Sequence, residues 1–203
     1  RIFFEKVYFS QNKNKENEKT LTIMWTDEKI GFTENKHLLI SEEKIRENRV
    51  KIVKLISEKL PDWKIFIKPH PLVKSVSEVK KILGQISNNV SIVEPSEPAD
   101  KYIEMSEVIV GMSLPSTTLF TASKQNPDKI IMFLNLMDEF LGDVYKNFDG
   151  IEYIDSEDKF INVLNLIYDN KYHKELAVNS GFDFSDVNEL LDYIYSRHLK
   201  TKI

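Results

Sequence analysis

The residues best suited to chemistry begin with a stiff histidine turn. Lys68, Pro69, His70 and Pro71 follow a short, largely apolar stretch in direct succession. The two prolines fix φ on either side of His70 and restrict the residue that precedes each of them. An imidazole held in this way can donate to a phosphate oxygen or act as a general acid near neutral pH. The alternative is a rigid turn with an exposed histidine.

A second candidate is a run of hydroxyl side chains after a later apolar stretch. Residues 111–118 read Gly-Met-Ser-Leu-Pro-Ser-Thr-Thr, and the proline suits the first turn of a helix. Ser116, Thr117 and Thr118 then place hydroxyls beside amides that the helix leaves unpaired, a setting that favours an anion such as phosphate. The alternative is ordinary helix capping by Ser113.

Carboxylates in two other loops could complete a site. Glu97 lies between the two motifs, just ahead of a predicted short helix, where it could accept hydrogen bonds from ribose hydroxyls or simply face solvent. Asp27 and Glu28 follow the first predicted strand and are candidates for a general base. For this pair the alternative is a solvated turn.

The elements that must position these residues are predicted from apolar periodicity. Strands are predicted at 20–26, 63–68, 90–93, 107–111, 129–134 and 151–154, and helices at 41–60, 76–87, 98–105, 115–124, 156–169 and 187–199, with a helical segment from about 136. This alternation predicts an α/β fold, a Rossmann-like parallel sheet with helices on both faces. Ligands of such sheets bind beyond the carboxyl ends of the strands, which is where the candidate residues fall.

Composition narrows the function classes. The chain has 203 residues, with 28 Lys and Arg against 32 Asp and Glu, and 41% of its residues are hydrophobic. This balance argues against wholesale disorder, and no basic stripe with interleaved aromatics suggests nucleic acid. No apolar run reaches the roughly 18 residues of a membrane span. Basic residues concentrate in the first 75 positions, which could attract phosphates, and acidic residues dominate the rest.

Several residue types are scarce or absent. With no Cys, disulfides and thiolate nucleophiles are excluded, and with only four His no metal site is predicted. Six Gly argue against a glycine-rich phosphate loop. The aromatic residues Trp25, Trp63, Phe66 and Phe133 are predicted to lie in the core rather than to stack on bases. Because the first residue is Arg1 rather than Met, we expect a fragment of a longer chain.

Taken in order, the motifs resemble a known family. Their order is a strand followed by Lys-Pro-His-Pro, then an acidic loop, then a strand followed by the Ser-Thr helix start. This order resembles that of the carboxyl-terminal, nucleotide-binding domain of bacterial GT-B sialyltransferases. That group includes polysialyltransferases and lipooligosaccharide sialyltransferases. His70-Pro71 matches its His-Pro motif and Ser116-Thr117 its Ser-Ser or Ser-Thr motif. Glu97 stands 19 residues before Ser116, similar to the ribose-holding glutamate of some members. The resemblance covers roughly residues 20–135.

The resemblance implies a function and a site. It implies one half of a GT-B glycosyltransferase that moves sialic acid from CMP-sialic acid to a capsule or lipooligosaccharide glycan, with inversion and without cofactor or metal. His70 would act on the departing phosphate, with Lys68, Pro71, Ser113 and Thr118 among the donor-binding residues. The family's acidic motif, which carries the general base, is matched only loosely by residues 27–31.

The resemblance also implies partners and a location. We expect residues 1–19 to be a linker or interdomain segment and residues 20–203 to be the donor-binding domain. A missing amino-terminal acceptor domain would complete the enzyme, and the isolated chain would then show little transfer. The enzyme would work in the cytoplasm or against the inner membrane, without a transmembrane segment.

Two other interpretations fit the same residues. CDP-glycerol transferases of teichoic-acid synthesis and CMP-Kdo transferases also place a His-Pro after a strand, since a histidine and a capped helix recognise a phosphate rather than the sugar behind it. The chain could instead be a non-catalytic α/β binding domain whose acidic carboxyl-terminal half docks a basic partner. Whether a cytidine nucleotide raises the melting temperature would separate these classes.

Overall fold

The structure is a computed structural model that describes most of the chain between residues 18 and 172. The described ranges are 18–26, 42–73, 75–112, 117–136, 145–146, 148 and 150–172. Residues 1–17 of the predicted linker 1–19 lie outside these residues. So do most of the predicted helical segment after 136 and the predicted helix 187–199. Within them, no helix is long and apolar enough to cross a membrane.

Six strands form a single sheet in the described part of the chain. They are β1 (Thr20–Trp25), β2 (Lys64–Pro69), β3 (Val90–Ile92), β4 (Val108–Met112), β5 (Ile130–Leu134) and β6 (Glu152–Ile154). Their order is β3-β2-β1-β4-β5-β6, and every neighbouring pair is parallel. The α/β prediction is therefore confirmed. The order reverses between β1 and β4, which makes their carboxyl ends the topological switch point where such folds bind ligands.

The helices alternate with the strands as predicted. They are α1 (Glu42–Lys59), α2 (Val76–Leu83), α3 (Ala99–Met105), α4 (Thr117–Gln125) and α5 (Glu157–Tyr168). Helix α2 ends four residues before its predicted end at 87, because Gly84 adopts a φ of 65° that most residues avoid. The Gly84 amide donates to the Lys80 carbonyl and closes the last turn.

The two faces of the sheet carry separate cores. Alternate strand residues such as Ile23, Ile65 and Val110 pack under α1, α2 and α5. The residues between them, such as Ile109 and Phe133, pack under α3 and α4. The four aromatic residues predicted to be core are all buried: Trp25, Trp63, Phe66 and Phe133. Because both faces are covered, the ends of the strands are the places where a sheet of this kind can bind ligands.

Helix α4 approaches the sheet closely at Gly111. A Cβ atom added to Gly111 would lie 2.1 Å from Cδ1 and 3.1 Å from Cγ of Leu119. Leu119 is fully buried, so its side chain has little room to move aside. The missing side chain at Gly111 therefore sets how deeply the amino-terminal turn of α4 sits over the carboxyl end of β4.

We expect Gly111→Ala to lower the free energy of unfolding by about 1–3 kcal/mol, because it overpacks the α4 contact. Urea denaturation measures this change. Leu119→Ala should itself cost about 2–5 kcal/mol, but it vacates the space that the new methyl needs. In the Leu119→Ala background the Gly111→Ala change should therefore cost almost nothing. Strict additivity of the two changes would refute the steric explanation.

Candidate functional site

His70 sits on a proline turn directly beyond β2. Its amide donates to the Trp25 carbonyl at 2.7 Å, which extends the pairing of β1 and β2 by one bond. The Val73 amide donates to the His70 carbonyl at 2.9 Å and closes a turn with Pro71 at its second position. The predicted rigid exit turn is therefore present, and it is anchored to the central strand.

The ring of His70 is oriented by its own turn. Its Nδ1 atom accepts a hydrogen bond from the Leu72 amide at 3.2 Å. An accepting Nδ1 carries no proton, so the neutral ring has its proton on Nε2. His70 is half-buried, while Pro71 and Leu72 beside it are exposed. The turn therefore presets one tautomer, whose Nε2–H can donate to an oxygen.

Glu97 sits on a second proline turn, beyond β3. Its amide donates to the Glu94 carbonyl at 3.1 Å, with Pro95 at the second position of the turn. Its Oε2 atom accepts from Nζ of Lys101 at 2.7 Å and from the Tyr102 hydroxyl, also at 2.7 Å. These two bonds, that of Lys101 first, hold the pKa of the Glu97 carboxyl below its usual value. The carboxylate is therefore ionised at neutral pH.

The tyrosine that holds Glu97 is itself held by the sheet. The Tyr102 ring is buried and meets the Phe66 ring of β2 edge-on, with 5.3 Å between the centroids. Burial, and then its bond to the carboxylate, raise the pKa of the Tyr102 hydroxyl, which keeps the hydroxyl a donor. The sequence analysis did not single out Tyr102. Its place five residues after Glu97, on the buried face of a short helix, was the available signal.

Lys68, predicted as a ligand contact, lies inside the protein. Only 3% of the residue is exposed, and its Nζ atom donates to the carbonyls of Pro69 at 2.5 Å and Pro95 at 3.0 Å. Burial lowers the pKa of Lys68, and the nearby Glu97 carboxylate partly offsets that effect. The ammonium thus joins the loops after β2 and β3. Direct contact with a ligand stays a prediction.

At the end of β1 a buried arginine marks the switch point. Arg49 of α1 is 1% exposed and donates to the Thr26 carbonyl at 2.7 Å. Its guanidinium lies over the Trp25 ring, 5.4 Å from the centroid. In the sequence Arg49 interrupts an otherwise apolar helix face, and the structure explains the interruption: the cation ties α1 to the carboxyl end of the central strand.

The amino-terminal turn of α4 begins at the same edge of the sheet. Thr117, exposed, and Thr118, half-buried, open the helix just beyond β4. Since β2 and β4 flank β1, the His70 turn and the α4 side of the site are two strand spacings apart, about 10 Å. The other predicted site residues, which stay predictions, lie outside the described residues: Asp27, Glu28, Ser113 and Ser116.

Elsewhere among the described residues, a groove and the possible metal ligands were compared with the predicted site. A groove between α1 and α2 is lined by Val50, Leu55 and Ile82 together with acidic and basic side chains, and no predicted site residue lines it. Among the described residues, no group of three or more His, Asp or Glu is arranged to hold a metal ion.

The fold and the described residues define an α/β protein of Rossmann-like topology with a polar carboxyl edge. A scan against protein-family models finds no match for this chain, and a search of curated proteins finds none either. Function must therefore be inferred from the residues at that edge.

The Glu97 cluster predicts a pH dependence of stability. A depressed carboxyl pKa stabilises the folded state above the unfolded value, near 4.5, and the stabilisation is lost as pH falls through the lower folded value. We therefore expect Glu97→Gln to lower the melting temperature at pH 7, and the difference from the wild type to vanish well below pH 4.5. Calorimetry at several pH values measures it.

Glu94→Gln is the matched control for that experiment. Glu94 is the exposed acid at the first position of the same turn, and no ion pair involves it in the described structure. Its substitution should change the melting temperature little at any pH. A Glu97→Gln effect that persists undiminished at acidic pH would show that the carboxylate charge is not what stabilises the turn.

Proposed function

We propose that the chain is the donor-binding domain of a sialyltransferase-like glycosyltransferase that takes CMP-sialic acid or a related CMP-activated acidic sugar. The observation that carries the proposal is the pair of proline turns at the carboxyl edge. One turn presents an oriented histidine and the other an ionised carboxylate, after the neighbouring strands β2 and β3 on one side of the switch point. A nucleotide site needs a hydrogen-bond donor for the phosphate and an acceptor for the ribose hydroxyls, and these two turns place one of each on neighbouring strands.

The phosphate end of the proposed site would use neutral donors. The Nε2–H of His70 would donate one hydrogen bond to the phosphate. The amides of the first α4 turn, with Thr117, would supply others. The ammonium of Lys68 and the guanidinium of Arg49 already donate to backbone carbonyls. A phosphate here would therefore be bound chiefly by dipoles, and Gly111 matters because it allows α4 to come close to the strand ends.

The ribose end of the proposed site would use Glu97. An ionised carboxylate is an acceptor only, and it suits two adjacent hydroxyl groups. Lys101 and Tyr102 both bind its Oε2 atom, which fixes the carboxylate plane before a ligand arrives. Such preorganisation lowers the entropy that binding must overcome.

The proposed reaction is a single displacement. The acceptor hydroxyl oxygen attacks the anomeric carbon, and the bond from that carbon to the phosphate oxygen of CMP breaks, its electron pair leaving with CMP. The acceptor proton passes to a carboxylate, for which Asp27 and Glu28 remain the candidates. His70 strengthens its hydrogen bond as negative charge grows on the departing phosphate, which favours the transition state over the ground state.

A cytidine nucleotide panel tests the proposal. We expect CMP and CMP-sialic acid to raise the melting temperature of this chain, and His70→Ala to reduce that shift. Titration with CMP-Kdo and CDP-glycerol in parallel ranks the competing donors, and the tightest of these three donors identifies the donor class. If no cytidine nucleotide shifts the melting temperature, the binding-domain alternative replaces the enzyme.

Kinetics in the full-length enzyme would separate the roles of the site residues. His70→Ala should lower kcat by roughly 10²–10⁴-fold, the range for a positioned acid or oxyanion partner. Ser116→Ala should chiefly raise KM for the donor, by the equivalent of about 1.5–3 kcal/mol of donor binding energy, since the helix amides remain. Glu97→Gln should also act on donor KM, and more strongly for ribose than for deoxyribose donors. If His70→Ala leaves kcat intact, His70 is only a turn residue.

A further inference from the structure

The two turns of the candidate site are built alike and are joined by one side chain. Each has proline at its second position, with His70 opening one turn and Glu97 closing the other. Between them lies Lys68, whose Nζ atom donates to the carbonyl of Pro69 and to that of Pro95. The Pro69 carbonyl belongs to the same peptide unit as the His70 amide, which in turn donates to Trp25. The Lys68 ammonium therefore binds the backbone just before the first turn, at Pro69, and the second position of the other turn, at Pro95.

The position of Lys68 is unusual for its residue type. It occupies the strand face that Phe66 also occupies, under α3, and it is almost fully buried. Burying an ammonium is costly unless its protons are all bonded or paired. Here two carbonyls and the nearby Glu97 carboxylate compensate it, so removing the ammonium affects both turns at once.

We propose that Lys68 is a positioning residue that fixes the separation of His70 and Glu97, so that the phosphate and ribose of one nucleotide are bound together. The inference rests on the proposed function for the identity of the ligand. The positioning role itself does not depend on the proposed function, because it concerns the two turns alone. Lys68 then acts on a nucleotide through the two turns.

A half-buried lysine elsewhere in the fold provides a control. Lys129 precedes β5 and lies at the opposite, amino-terminal edge of the sheet. Its Nζ atom donates to the carbonyls of Ile103, Glu104 and Ser106 at the end of α3, at 2.6, 2.6 and 2.8 Å. Burial lowers the pKa of Lys129 as it does that of Lys68. Lys129→Met therefore removes a carbonyl-bound ammonium that makes no hydrogen bond to either proline turn.

The first arm of the test uses no ligand. Hydrogen exchange of the His70 and Glu97 amides should be at least tenfold faster in Lys68→Met than in the wild type, since both turns open locally. In Lys129→Met these two amides should exchange at wild-type rates. Unchanged exchange at both turns in Lys68→Met overturns the positioning role whether or not any nucleotide binds.

The second arm uses CMP and 2′-deoxy-CMP with the same chain. Lys68→Met should weaken CMP binding by roughly tenfold, and the preference for CMP over the deoxy analogue should fall towards one. Lys129→Met should retain both the affinity and the preference. If Lys68→Met binds both nucleotides as the wild type does, the positioning role fails while the proposed function stands. If the wild type binds neither, the proposed function fails and the exchange arm decides the role of Lys68.

A third variant covers the case in which Lys68→Met does not fold. K68Q keeps a donor that is one bond shorter and can reach a single carbonyl, so it should loosen one turn more than the other. Faster exchange at one of the two amides, with a reduced preference for CMP, supports the inference. Wild-type exchange at both amides in K68Q overturns it.

Discussion

Backbone carbonyl groups at the carboxyl ends of the strands must find donors outside the sheet, and buried cations supply several of them. Arg49 donates to Thr26 at the end of β1, from the face covered by α1. Lys68 donates to Pro69 and Pro95 from the opposite face. A buried carbonyl without a donor costs about 1–3 kcal/mol, so these bonds decide how the chain leaves the sheet after each of these strands. The loops of the candidate site start from those exits, and their geometry depends on them.

Much of the architecture could be predicted from the sequence because its signals are local. Apolar runs separated by helical periodicity predicted six strands, and parallel pairing follows once helices connect them. The ends were harder to predict where a single residue decides them. Helix α2 stops at Gly84, whose positive φ leaves the helical region, although the apolar pattern continues to Ile86. The strand order could not be predicted, since it depends on which face each crossover takes.

Part of the candidate site could likewise be predicted from the sequence, and part could not. The rigidity around His70 was predictable, because two prolines restrict the backbone whatever the fold. The burial of Lys68 was not, because alternation along β2 assigns it to the face of Phe66 without saying that α3 covers that face. The partners of Glu97 were likewise missed, although Lys101 and Tyr102 lie at helical spacing four and five residues after it. Sequence motifs thus identify the residues that could meet a ligand better than those that hold them.

The hydrogen bonds of Lys68 and Arg49 to backbone carbonyls also affect the chemistry of the proposed site. An arginine or lysine aimed at the phosphate would bind the donor strongly already in the ground state, and the part of its binding that is uniform would not raise kcat. A neutral imidazole contributes less to the ground state, but its hydrogen bond strengthens as charge gathers on the leaving oxygen. With Lys68 and Arg49 holding the backbone instead, the described part of the edge favours that second arrangement. The same two interactions that shape the loops would then leave the departing phosphate to His70 and the α4 amides.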